Sequence, residues 1–209
     1  MGNKVLFKIV IAGFFLLSGC ETTKYFHKDE SFTQEKLEKQ NWRKIAILPF
    51  TGNPAFRRVS AEMFSFHIHK QQHFEIIGPA IAEIELKKKG IELSDTEVEQ
   101  EEAQKAGRLL GADAVIVGSI TIKITVMQGH REVAGVSLID ISTGRIVATA
   151  IQSDWFTFPD IFKLSEDKIF TSATERVAND ILSLLHELTT EKQDSPQKEV
   201  VPGQEQEVL

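Results

Sequence analysis

From Ile120 to Val126 apolar and polar residues alternate without a break, Ile120, Ile122, Ile124 and Val126 against Thr121, Lys123 and Thr125. A period of two belongs to an extended chain and to no helix, so the run predicts a strand with one buried face. Such strands take antiparallel neighbours. Gly129-His130-Arg131 reads as a turn, Val133 to Ile141 as a strand, Ser142-Thr143-Gly144 as a tight turn and Arg145 to Ser153 as the returning partner. The result is a three-strand meander. Asp140 and Gly144 suit its second turn, because Asp bonds nearby amides and Gly accepts a left-handed backbone.

Upstream the pattern changes to alternating strand and helix. Lys44 to Phe50 is a short apolar run ended by Pro49-Phe50, which fits a buried first strand. Arg57 to Gln72 places Val59, Met63, Phe64 and Phe66 at helical spacing, and Phe74 to Ile77 reads as a second strand closed by Gly78-Pro79. Ile81, Ile84 and Leu86 predict a short helix stopped by Gly90. Ser94-Asp95-Thr96-Glu97 then reads as a capping box for a helix running to Leu110, with Gly111 as its left-handed cap. Asp113 leads into a strand that Gly118 allows to bend. Ser165 suits the cap of a closing helix with Glu166 and Asp167 in its first turn. Its apolar stripe is Ile169, Ala173, Val177, Ile181, Leu184 and Leu188. The expected fold is a single α/β domain over residues 44–188, a mixed sheet including an antiparallel meander, packed by helices.

The ends of the chain carry a different message. Lys4 and Lys8 precede an apolar run from Ile9 to Leu17, and Leu17-Ser18-Gly19-Cys20 closes it with the only cysteine in the protein. Residues 1–19 have the form of a secretory signal, too short for a bilayer core that takes about 20 apolar residues. The closing phrase resembles a bacterial lipobox. That resemblance implies cleavage before Cys20, a diacylglyceryl group on its sulfur and an acyl chain of the palmitate class on its new amine. Several acyl chains hold a protein on a membrane stably, whereas one does so only marginally. Met1-Gly2 does not signal myristoylation, since Leu6 stands where that motif takes Ser or Thr. Residues 20–43 read as the lipidated cysteine and a flexible tether, with a helical turn or two around Thr33 to Gln40. Residues 189–209, rich in Gln, Glu and Pro, read as a disordered acidic tail.

Without Lys4 and Lys8, 22 of the 24 basic residues remain against 30 acidic ones, a balance of −8. An acidic chain is poorly suited to nucleic acid. With one cysteine there is no intramolecular disulfide, so the apolar core alone holds the fold. His67, His69 and His73 attract notice as a metal cluster. Spacing of two on a helix turns His67 and His69 to different faces, and no Cys or carboxylate set completes a tetrahedral site, so no metal is expected. Lys87-Lys88-Lys89 sits at a helix C-terminus, where cations favour the dipole. Gly107 and Gly111 lack the Gly-Lys-Ser/Thr of a phosphate loop, and no Ser, His or acid lies in a catalytic phrase. No cofactor and no catalysis follow. Trp155, Phe156 and Phe158 form a dense aromatic run at the edge of the meander. Turned outward they would be a partner contact, and turned inward they would close the core beneath the last helix.

Four phrases together resemble the CsgG-like bacterial envelope lipoproteins: Lys44 to Phe50; Phe74 to Ile77 before a helix with Glu83 and Glu85; Ala106 to Ile120; and Leu138 to Val147. The same core is similar to LpoB, FlgO and the amino-terminal domain of TolB. The resemblance implies an outer-membrane lipoprotein on the periplasmic face, acting through envelope protein partners in assembly or regulation, with oligomerisation left open. Pore-forming relatives add two long amphipathic hairpins. Here the arm carrying Arg131 and Glu132 reads as short, no room for a second hairpin exists before Asp154, and only Thr51 to Ala55 stands where a constriction loop would lie. The chain is thus expected to lack a pore. A component of a CsgG-type secretion complex and an LpoB-like activator of peptidoglycan synthesis remain the alternative implications.

Overall fold

A computed structural model describes residues 24–29, 42–69, 74–125, 129–156 and 172–194. They form one α/β domain, a mixed seven-stranded sheet with four helices: β1 Lys24–Lys28, β2 Lys44–Ile47, β3 Thr51–Gly52, α1 Arg57–His69, β4 Glu75–Ile77, α2 Pro79–Lys88, α3 Gln100–Leu110, β5 Ala114–Thr125, β6 Gly129–Asp140, β7 Ile146–Phe156 and α4 Ser172–Asp194. The strand order is β1-β7-β6-β5-β2-β4, with β3 continuing alongside β5. β4, β2 and β5 are parallel, while β5, β6, β7 and β1 are antiparallel. The predicted meander is present.

β2 explains the parallel half. Ile45 and Ile47 face α1 and α4, and Ala46 and Leu48 face α2 and α3, all fully buried. A strand covered on both faces reads as an unbroken apolar run, as this one does. Asp113 anchors its start by accepting the Arg43 and Lys44 amides at 2.7 and 2.9 Å. Gly118 also makes room for a neighbour: a Cβ there would lie 2.4 Å from the Phe50 ring, so its lack of a side chain lets the ring pack on the strand.

Several expectations are corrected. The tether over residues 20–43 is interrupted by β1, which pairs with the outer edge of β7 from Lys24↔Gln152 to Lys28↔Ala148. Trp42, expected in the same tether, is 9% exposed and donates through Nε1 to Asp140 at 3.2 Å. An open β7 edge offers a row of unpaired backbone groups, and an aromatic-rich segment satisfies them. The α1 stripe is displaced: Ser60, Ala61, Phe64, Ser65 and Ile68 are buried, while Val59 and Phe66 are exposed. Phe64 and Ile68 fill the buried face together with the small Ser60, Ala61 and Ser65, which turns Val59 and Phe66 to the opposite side of the helix. In α2 Leu86 is buried as expected, but Ile81 and Ile84 are exposed.

The capping phrase forms a local turn, in which Ser94 Oγ accepts the Thr96 and Glu97 amides at 3.3 Å, but the helix begins only at Gln100. Glu102, not Glu97, reaches back to the Ser94 amide at 3.2 Å. Gly111 takes the left-handed cap as predicted, at φ 67°. β6 starts at Gly129, so Gly129 to Arg131 belong to a strand and not a turn, and the arm carrying Glu132 is 12 residues long. It is no free barrel hairpin, because α4 covers one face and buries Glu132. α4 buries Ala173, Val177, Ile181 and Leu184 as expected, and continues to Asp194, past the predicted domain boundary at 188. Residues 1–23, 30–41 and 195–209, together with His73, Val126, Ser165, Glu166, Asp167 and Ile169, lie outside the described residues.

Candidate functional site

The large apolar side chains left exposed among the described residues gather at the two ends of the sheet. Tyr25, Phe26, Ile146 and Ile151 belong to β1 and its neighbour β7. Val59, Phe66, Ile81 and Ile84 belong to α1 and α2, the helices on opposite faces of the β2–β4 end. These last four are 53–67% exposed. Of these helices α1 packs against β4 and α2 against β2, and β4 is an edge strand with no further strand beside it among the described residues. An exposed edge bordered by apolar residues is the form of a protein-contact surface.

A crevice of about 470 Å³ opens between the same two helices. It lies past the C-terminal end of β2, where the chain has gone to β4 on one side and β5 on the other. Open α/β sheets bind ligands at such a reversal. Phe50, Ala61, Leu86 and Ile91 give it apolar walls, and its rim mixes signs. Arg57 pairs with Asp95 and Lys87 with Glu83, each at 2.7 Å. Its Ser94 hydroxyl lies 3.1 Å from Thr96 Oγ1 besides capping two amides, an arrangement of a turn and not of an activated nucleophile. The lysine run is also engaged: Lys88 pairs with Glu85 at 2.7 Å, and Lys89 donates to the Leu109 carbonyl in the last turn of α3.

A second polar constellation lies under the start of α4. Glu132 and Asp154 are cross-strand partners facing that helix. Asp154 pairs with Arg176, while Gln152 donates to Asp180 at 2.6 Å, which also pairs with Lys24. Glu132 is 1% exposed. Burial pushes its carboxyl up to about 7, against the lowering influence of the Ala173 amide, the Thr174 hydroxyl and the Arg176 charge. The Glu132 oxygens close no hydrogen bond of normal geometry, which is why burial prevails. Nothing in the sequence marks this residue.

The structure places the predicted site residues as follows. Trp155 and Phe156 end β7, in register with Arg131 and His130. Phe158 lies outside the described residues, as do Leu17, Ser18, Gly19 and Cys20. His67 and His69 are both on α1, and no group of three metal-ligating side chains occurs among the described residues. No described helix is long and apolar enough to cross a membrane. The sequence does not single out the apolar β4 end, because its residues fit a core-facing helical stripe equally well.

No protein-family model and no curated protein matches the chain. Solved structures do resemble it. A PelC dodecamer from Paraburkholderia phytofirmans aligns at 14% identity over 76% of this chain and 96% of that one, with a TM-score of 0.47. Lipoprotein GNA1162 from Neisseria meningitidis aligns at 14% identity over 72% and 97%, with a TM-score of 0.46. The LpoB C-terminal domain from Escherichia coli aligns at 14% identity over 53% and 81%, with a TM-score of 0.41. Likeness at this level is one of layout alone.

Proposed function

We propose that this chain is a non-enzymatic lipoprotein of the bacterial outer membrane, anchored through Cys20 on the periplasmic face, that works by binding another envelope protein. The observation that carries the binding role is the β4 end of the sheet. There β4 has no further strand beside it among the described residues, α1 and α2 wall a crevice with apolar sides, and the same two helices expose Val59, Phe66, Ile81 and Ile84. Burial of four such side chains against a partner is worth about 1.5–3 kcal/mol each before the costs of association. The anchor reading rests on the lipobox-like phrase, and the envelope setting on the CsgG-like resemblance. Reach argues against an LpoB-like role across the periplasm, since only three residues separate Cys20 from the sheet.

A photo-crosslinking residue at Phe66 or Ile84, in the native membrane, tests the reading. We expect a discrete crosslinked envelope protein at both positions and none at exposed Glu101 on α3, with loss of the adduct in Ile81→Glu. Equal labelling at all three positions, or no adduct, would overturn the role of this surface.

A further inference from the structure

The length of chain before β1 sets how the domain stands on its membrane. Lys24 opens β1 in register with Gln152, and the two strands run antiparallel. Going back from Lys24 to Cys20 is four residues, and going on from Gln152 to Phe156, in the same direction in space, is also four. Each extended residue advances at most about 3.6 Å, so fully stretched Cys20 draws level with Phe156 and no further, roughly 14 Å beyond Lys24. Any bend leaves it shorter. Acyl chains on Cys20 must reach the hydrocarbon, which begins about 5–8 Å below the membrane surface.

The same end of the sheet carries suitable chemistry. Lys123, Arg131 and Trp155 stand in one row across β5, β6 and β7, Lys123 exposed and Arg131 half-buried and donating to Ser153 Oγ at 3.2 Å, and His130 pairs with Phe156 in the next. Aromatic rings and long cationic side chains are the residues that settle at a membrane–water boundary. We propose that this end, formed by the outer residues of β5 and β6 and the close of β7, rests in the lipid headgroups of the membrane that holds Cys20. Trp155 and Phe156 are its aromatic contact. The proposal rests on the reading of Cys20 as lipidated. It turns the aromatic run toward lipid and leaves the β4 end, at the far side of the strand order, free for a protein.

The two tryptophans of the chain make the test direct. Trp42 is bonded to Asp140 at the opposite end of β6, nine residues from Arg131 and thus about 30 Å away. The mature chain, purified from its native membrane and weighed to establish acylation, is placed in vesicles with brominated acyl chains. We expect its tryptophan emission to be quenched, and the quenching to vanish in Trp155→Phe. Adding Thr125→Trp to that variant is expected to restore it. A folded, acylated chain with no quenching would overturn the orientation while leaving the anchor intact. Quenching that survives Trp155→Phe, or fails to return with Thr125→Trp, would overturn it too, the latter by laying the β1 edge on the bilayer. An unmodified Cys20 would overturn the anchor itself. The first measurement uses the wild-type chain, so its outcome does not depend on a variant folding.

Discussion

Asp140 and Glu132 stand on the same strand, and only the first is legible in the sequence. Asp140 belongs to an Asp-x-x-Thr-Gly phrase, and its Oδ2 accepts Ser142 Oγ at 2.7 Å, the Thr143 amide at 2.8 Å and Thr143 Oγ1 at 2.5 Å. Burial pushes its carboxyl up, but these bonds and that from Trp42 outweigh it and hold the group below the usual range. The turn partners are local and predictable; Trp42 is 98 residues away and is not. Glu132 lies on an arm that reads as short and weakly patterned, yet the fold buries it beneath α4. Its carboxyl rises from an ordinary 4.5 to about 7. A group whose pKa is raised on folding contributes stability that is fully present below its unfolded pKa and is lost as pH rises through the folded one. Stability should therefore fall as pH rises from about 4.5 to about 7.5, by up to about 3 kcal/mol from this group. Urea unfolding at pH 5 and pH 8 measures it, and Glu132→Gln should flatten the difference. A slope unchanged in that variant would assign the effect elsewhere.

Among the elements, β2, the meander and α4 are readable because each has a periodicity that only one environment satisfies. β1 is not. Its five residues, Lys-Tyr-Phe-His-Lys, lack a core face and lie in a polar stretch, and what recruits them is the open edge of β7, more than a hundred residues later. Lys24–Asp180 and Lys28–Glu187 at 2.7 and 2.6 Å then fasten the strand to α4. Both pairs are partly exposed and contribute little beside the ladder itself. Removing residues 20–28 should thus lower the urea midpoint and expose the β7 edge to self-association, seen as rising light scattering. A tether would be removable without effect, so an unchanged midpoint in a monodisperse sample would restore the tether reading. α1 and α2 depart from expectation in the opposite sense. Val59, Phe66, Ile81 and Ile84 fit a helical stripe on paper, but Phe64 and Ile68 in α1 and Ala82 and Leu86 in α2 take the buried face.

For the whole molecule, the proposed anchor at Cys20 is separable from the fold, because the domain is held by its own apolar core. Cys20→Ala should release a folded domain with an unfolding midpoint close to that of the acylated chain, recovered in the soluble fraction of the envelope. Recovery only as aggregate would mean that the lipid supports the fold. The sequence by itself determined the class of the domain, the meander, the left-handed cap at Gly111 and the hairpin at Asp140, all set by contacts between near neighbours or by strict period. The tertiary structure alone decided which strand closes the β7 edge, which face of α1 packs inward, that Glu132 is buried, and that a strand begins as early as Lys24. Each of these depends on surfaces brought together from distant parts of the chain, where competition for one buried site, rather than local preference, selects the residue that fills it.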